Sequence, residues 1–220
     1  MPKKVNHTER REEFLQAAYR VIKKHGFAGV TVRSVAKEAG FTTGALVHYV
    51  DSMDQLLVEA SEYSAREVRG LMEEAEALED PLLSLREVLY LALASDEDKR
   101  GNWNYFLGFW ERSVYNELVR KVTHLRYSEW IRRTSRLIKR AKNAGDLADD
   151  IIIPQASRAC VALIDGIAIQ VLRSGKAMAP KEQRAMIDMW IKTWLKPTRE
   201  AGRAAVLANR SKSEDAGSSV

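Results

Sequence analysis

The 220-residue chain has one cysteine, Cys160, five prolines, four histidines, and no run of eighteen consecutive apolar residues. A single thiol excludes an internal disulfide framework and suits a reducing compartment, here expected to be the cytoplasm. The missing apolar run predicts no transmembrane helix. The opening stretch MPKKVNHTERREEF has no apolar segment behind its lysines, so it does not read as a secretory signal, and no membrane partner is expected. His7, His25, His48 and His124 are scattered. No H-E-x-x-H pair, G-x-S-x-G elbow or phosphate-binding P-loop is present. No catalytic residue, metal ligand or cofactor is therefore assigned. Cys160 lies within an apolar helical stretch, where a thiol is normally inert.

The charge is divided unevenly. The net charge is +5, and residues 1–50 alone hold nine Lys/Arg against four Glu, so the other 170 residues balance. An excess of this kind suits either phosphate neutralisation or a solvated basic surface. Residues 119–142 are also basic, with nine Lys/Arg against Glu129, and residues 51–118 are acidic. The two are expected to face each other.

The periodicity is helical almost throughout, which predicts an all-α fold. Phe14, Ala17, Ala18, Val21 and Ile22 recur as on an amphipathic helix. A long helix is expected over 52–78, with Leu56, Leu57, Ala60, Tyr63, Ser64, Val68 and Leu71 on its apolar side. Asp80-Pro81 opens another helix. Residues 95–100 read as a charged loop, and a break is expected at Arg112-Ser113 or Asn116. Asn143 to Asp146 forms a stop. The helices over 154–173 and 180–195 are apolar around much of their circumference. They are either central core or a subunit interface. We expect the second, with Leu163, Ile164, Ile167, Val171, Met186, Trp190 and Trp194 donated to a four-helix bundle of a homodimer.

Residues 31–57, TVRSVAKEAGFTTGALVHYVDSMDQLL, carry the most specific signal. Thr31 is an N-cap, and Gly40 a left-handed helix stop. Thr42 or Thr43 caps the next short helix, and Ser52 with Gln55 resembles a capping box. Two helices this short are not stable alone. Such a package usually presents one helix to the major groove of DNA. The order and spacing over about residues 8–57 resemble the TetR family of bacterial transcriptional regulators. The run Ala162 to Ile167 looks like the dimerisation helix of the subgroup near the choline-pathway repressors.

The resemblance implies an N-terminal helix-turn-helix DNA-binding domain (1–52). It implies a larger ligand-binding and dimerisation domain (53–196), and the polar stretch 197–220 reads as a disordered tail. Implied partners are a palindromic duplex operator, a small-molecule effector and a second copy of the chain. The implied DNA-contacting residues are Arg33, Lys37, Thr42, Thr43, Gly44, Ala45, His48 and Tyr49. Two departures stand out. Val47 and Val50 replace the family's usual aromatics, and Met53 replaces a phosphate-gripping lysine, so affinity must lean on Arg33, Lys37, Lys3 and Lys4. The densest aromatic group reads mostly as core. Its sharper reading is a ligand cavity formed by Trp103, Phe106, Phe109, Trp110 and Tyr127, with His124, Arg112 or Glu111 as polar groups. Such rings would suit a quaternary ammonium or a plain hydrophobic effector. The competing functions are an all-helical enzyme, marked by turnover of its ligand, and a helical adaptor indifferent to change at Ala45 or His48.

Overall fold

The structure, a computed structural model, describes residues 7–174 and 178–196, apart from the side chains of Ala28, Ser61, Tyr63, Ser64, Ala65 and Glu67. Lys3, Lys4 and the tail 197–220 lie outside the described residues, as do the expected apolar roles of Tyr63 and Ser64. The described residues form nine α-helices: α1 (His7–His25), α2 (Val32–Ala39), α3 (Thr43–Tyr49), α4 (Met53–Glu76), α5 (Pro81–Leu91), α6 (Glu97–Ser113), α7 (Glu117–Asn143), α8 (Ile153–Arg173) and α9 (Pro180–Lys192). A single 3-10 turn, Phe27–Gly29, follows α1.

Local chemistry sets most boundaries. Asp80 accepts from the N–H groups of Leu82 and Leu83, with Pro81 in the first turn of α5. Asn116 caps α7 through Val119 N–H, so of the two expected breaks α6 stops at Ser113 and α7 restarts past Asn116. Gly145 takes a left-handed φ of 78° just past α7. The charged stretch read as a loop is instead the first turn of α6. Asp96 caps it through Lys99 N–H at 2.8 Å, and Glu97 and Asp98 suit the positive end of the helix.

Apolar side chains gather in two clusters. The first joins α1, α2 and α3 around Phe14, Ile22, Val35, Ala36 and Leu46, and draws in Leu56, Leu57 and Ala60 of α4, Tyr105 and Phe109 of α6, and Val119. The second joins α5, α6, α7, α8 and α9 around Leu85, Leu89, Trp103, Ile138, Ile164, Ile167 and Ile187. Leu71 is exposed, and Met72 and Ala75 are the buried residues of that stretch of α4. Here α4 contacts α5 and α7 rather than the first cluster, so its buried stripe moves round by one residue.

The expected meeting of the basic and acidic segments occurs through a ladder of arginines seven residues apart on α7. Arg126 donates to Glu62 at 2.7 Å. Arg133 pairs with Glu76 at 2.6 Å. Arg140 donates to the carbonyls of Glu76 and Leu78, serving the unpaired acceptors at the C-terminus of α4. At the other end, Ala148 N–H donates to Trp194 O at 2.8 Å and ties the α7–α8 connector to the end of α9.

By length and composition alone α8 is apolar enough to cross a membrane, although it holds no unbroken run of eighteen apolar residues. It carries Arg158 and Asp165, and its buried face packs inside the second cluster. Length and composition alone therefore do not separate a core helix from a spanning one.

Helix α6 contributes to both clusters, and α1 with its following turn packs closely on it. A Cβ placed on Gly108 would lie 2.1 Å from Phe27 Cδ2, and one on Gly101 2.9 Å from Lys23 Cγ. The Phe27 ring is held by Phe109 and Tyr105, at centroid distances of 5.1 and 5.6 Å. Gly108→Ala is expected to lower unfolding stability by about 1–3 kcal/mol through overpacking. In a Phe27→Ala background the same change should cost much less. Denaturant unfolding of the four proteins measures this coupling.

Candidate nucleic-acid interface and aromatic core

The α2–α3 unit is assembled by short-range hydrogen bonds. Thr31 Oγ1 accepts from Ser34 N–H at 3.0 Å, and Thr31 N–H donates to Ser34 Oγ at 2.9 Å, a reciprocal cap. Ser34 Oγ also donates to Gly29 O, joining α2 to the 3-10 turn. Gly40 is left-handed (φ 78°, ψ 25°), and Phe41 N–H returns to Ala36 O at 2.8 Å. Thr42, not Thr43, caps α3, accepting from Ala45 N–H at 3.2 Å. This leaves Thr43 exposed and outside the cap.

The expected contact residues divide by exposure. Arg33, Lys37, Thr42, Thr43, Gly44 and His48 are exposed. Ala45 and Tyr49 are half-buried against the first cluster. The Tyr49 ring lies 5.8 Å from that of Phe14 and 4.4 Å from that of His7. Leu46 is buried and anchors the helix. Val47, which entered the sequence reading only as a departure from a family aromatic, is 64% exposed on the same helix. The unit is tied to α1 by Arg20 to Glu38 at 2.8 Å, a contact that lowers the Glu38 pKa, and by the Arg10 guanidinium over the Phe41 ring at 4.1 Å.

The aromatic residues of α6 divide between the clusters. Trp103, Phe106 and Trp110 share one face, with Trp103 5.9 Å from Phe106 and 6.2 Å from Trp110. Tyr127 of α7 joins them at 6.4 Å from Trp110. Phe109 does not belong with them. It lies one turn from Tyr105, packs on Phe27 and is buried in the first cluster. The stripe Trp103, Phe106, Trp110 follows i, i+3, i+7 spacing, and Phe109 falls outside it.

None of the three proposed polar partners serves the aromatic set. His124 and Glu111 are exposed, and Arg112 is bound to Asp54 at 2.6 Å. The polar group that does reach it is Asp165 of α8, to which Tyr127 Oη donates at 3.4 Å. Burial is the main cause that raises the Asp165 pKa, to about 6, against the opposing hydrogen bond from Tyr127. Burial and then Asp165 raise the Tyr127 pKa. Thr123, one turn before Tyr127, has a buried hydroxyl with no partner among the described residues. Asp165 was hidden from the sequence reading inside a run assigned to dimerisation. A cleft of about 450 Å³ lies elsewhere, between the end of α1 and α6, lined by His25, Phe27, Asn104 and Glu111.

The expected interface residues also divide. Ile164, Ile167 and Val171 are buried within the chain itself. Each sits on the face of α8 that its own core takes up. Leu163, Met186, Trp190 and Trp194 are half-buried, and Met189 is 64% exposed.

Residues 14–60 match the family model "Bacterial regulatory proteins, tetR family", and residues 81–196 match "BetI-type transcriptional repressor, C-terminal". The chain belongs to the TetR family. This TetR-family chain is therefore a DNA-binding transcriptional regulator, as the motif over 31–57 implied, in a family of regulators rather than enzymes. It is 26% identical to the regulator BetI of Burkholderia ambifaria over 195 residues, covering 86% of this chain and 94% of that one. It is 38% identical to the regulator PksA of Bacillus subtilis over 93 residues, 42% of this chain and 44% of that one. A transcriptional regulator from Saccharomonospora viridis, solved in complex with choline, shares the fold with a TM-score of 0.80. The two are 22% identical, covering 86% of this chain and 99% of that one.

The division of labour between adjacent threonines gives a direct check. Thr42→Ala is expected to cost about 1 kcal/mol of stability by removing the α3 cap. Thr43→Ala should leave stability within about 0.5 kcal/mol of the parent. Thermal unfolding of both variants reads the difference.

Proposed function

We propose that this TetR-family protein is a homodimeric repressor that leaves a palindromic operator when a small cationic effector enters its larger domain. The carrying observation is the outward array Thr43, Gly44 and His48 on α3, flanked by exposed Arg33 and Lys37, in a segment that holds the chain's whole positive excess. Two copies would set two α3 helices about 34–36 Å apart, in successive major grooves. Thr42, Ala45 and Tyr49 then position the helix more than they read bases. The two apolar clusters support a division near residue 52, with α4 running from the first into the second. The outward faces of α8 and α9, with Leu163, Met186, Met189, Trp190 and Trp194, are the surface left for a second copy. A DNA-binding repressor of this kind acts in the cytoplasm.

For the effector, Trp103, Phe106, Trp110 and Tyr127 offer ring faces, and Asp165 a carboxylate. That combination suits an alkylammonium cation, and Thr123 offers a hydroxyl to an effector oxygen. The choline-bound relative of the same fold supports this chemistry. Because α6 carries Trp103, Phe106 and Trp110 and also rests on Phe27 and Lys23, a ligand that parts the rings would shift the seat of α1. Release requires the effector to bind that shifted form better than the DNA-bound one.

Two measurements test the proposal. Titration of genomic operator fragments at about 50 and 200 mM salt should show affinity falling by roughly 10³ or more. His48→Ala and Lys37→Ala should weaken binding without changing thermal stability. Salt-insensitive binding, or none, would defeat the repressor reading. For the effector, choline and related ammonium compounds should bind about tenfold more weakly at pH 5 than at pH 8, because protonation of Asp165 (pKa about 6) removes the counter-charge. Asp165→Asn should weaken binding at pH 8 and abolish the pH dependence. The sign for stability is opposite in the free protein. The raised pKa favours the protonated folded form, so the stabilising contribution of this group is lost as pH rises through 6.

A further inference from the structure

We infer that Val47 sets part of the operator sequence by seating its methyl groups against the 5-methyl of a thymine, with Gly44 giving the clearance. This rests on the DNA-binding reading of α3 proposed above.

An isolated exposed aliphatic side chain is ordinary on a protein surface, so the exposure of Val47 alone decides little. Gly44 makes the difference. It is not among the left-handed glycines of the chain, so its backbone does not call for glycine. A Cβ placed on it would meet only Thr42 Oγ1, at 3.9 Å, an ordinary contact. Nothing described inside the protein therefore excludes alanine at position 44. Glycine in a helix is nonetheless a poorer choice than alanine, and α3 has only seven residues to hold together.

Gly44 and Val47 are three residues apart and share one side of α3. The buried Leu46 turns towards the first cluster. Two residues on one outward face are thus of types that the fold does not require and that disfavour it slightly. Both choices make sense if a flat surface approaches the helix closely at Gly44 and offers Val47 something apolar.

The major groove offers one apolar feature, the thymine methyl. Valine has no donor or acceptor, so it cannot distinguish guanine, adenine or cytosine by hydrogen bonding. The neighbouring polar groups, Thr43 and His48, can. The assignment is therefore thymine at the base step facing Val47 in each half-site. Cytosine in its place would leave the valine against a bare ring edge.

The full chain is used to select its operator from a random duplex pool. Each thymine of that operator is then replaced in turn by deoxyuridine, which deletes only the methyl. At one symmetric position, the loss should be roughly fourfold per half-site, on the order of fifteenfold for both half-sites together. Val47→Ala should bind the thymine and uracil operators alike, with an unchanged melting temperature. Val47→Ser, put through the same selection, should lose its thymine preference there while keeping the rest of the motif.

Deoxyuridine without effect at every position would overturn the inference and leave the repressor reading standing. So would an equal uracil penalty in the parent and in Val47→Ala. Absence of any sequence-specific binding by the parent would overturn both. A Val47→Ala variant that loses a protein partner but keeps its full operator affinity and methyl sensitivity would also overturn the inference.

Discussion

The seat of the Phe27 ring on the bare backbone of Gly108 is the contact through which α6 and the turn after α1 fix each other, and the placement of α2 and α3 depends on it. The ring leaves the end of α1 and lies against α6 where a single methyl group would collide. Around it, Tyr19 Oη donates to Asn102, Lys23 pairs with Asp98, and Tyr105 Oη donates to Leu57 O. Arg112 and Asn116 grip Asp54 at the start of α4. Packed interiors switch between discrete arrangements more readily than they deform smoothly. A seam this close lets α1 follow α6, which is what ligand-controlled spacing of two α3 helices would need.

Electrostatics follow the same division. The arginine ladder of α7 is used up within the molecule, on acidic side chains and open carbonyls of α4. These are surface or half-exposed contacts and add modest stability individually. Their larger effect is to cancel charge locally between α4 and α7, while the excess positive charge of the chain lies in residues 1–50. The half-buried carboxyl of Asp165 is the exception. It sits beside an aromatic face, and the hydrogen bond from Tyr127 offsets only part of the effect of its burial.

Much of the fold was legible from residue types alone, because caps and stops act over three or four residues. Thr31, Gly40, Ser52, Asp80-Pro81 and Gly145 mark their boundaries through bonds to their own neighbours. The TetR motif was legible for the same reason, since nearly all of it lies in one continuous stretch. The choice between Thr42 and Thr43 was not, because either hydroxyl could serve and only the backbone geometry selects one. The acidic first turn of α6 resembles a loop by charge density alone, although Asp96 and the acids after it are what a helix start favours.

By itself, the sequence determined the helices, the helix-turn-helix near the amino end and the place of the positive charge, all properties of local spacing and composition. Only the tertiary structure decided which neighbour each apolar face meets. It sent Phe109 to the first cluster and kept Trp110 in the second. It turned Ile164, Ile167 and Val171 into the chain's own core, and brought Asp165 of α8 to Tyr127 of α7. Apolar burial has no direction of its own. A stripe therefore announces that it will be covered, and the packing of distant elements alone settles by what.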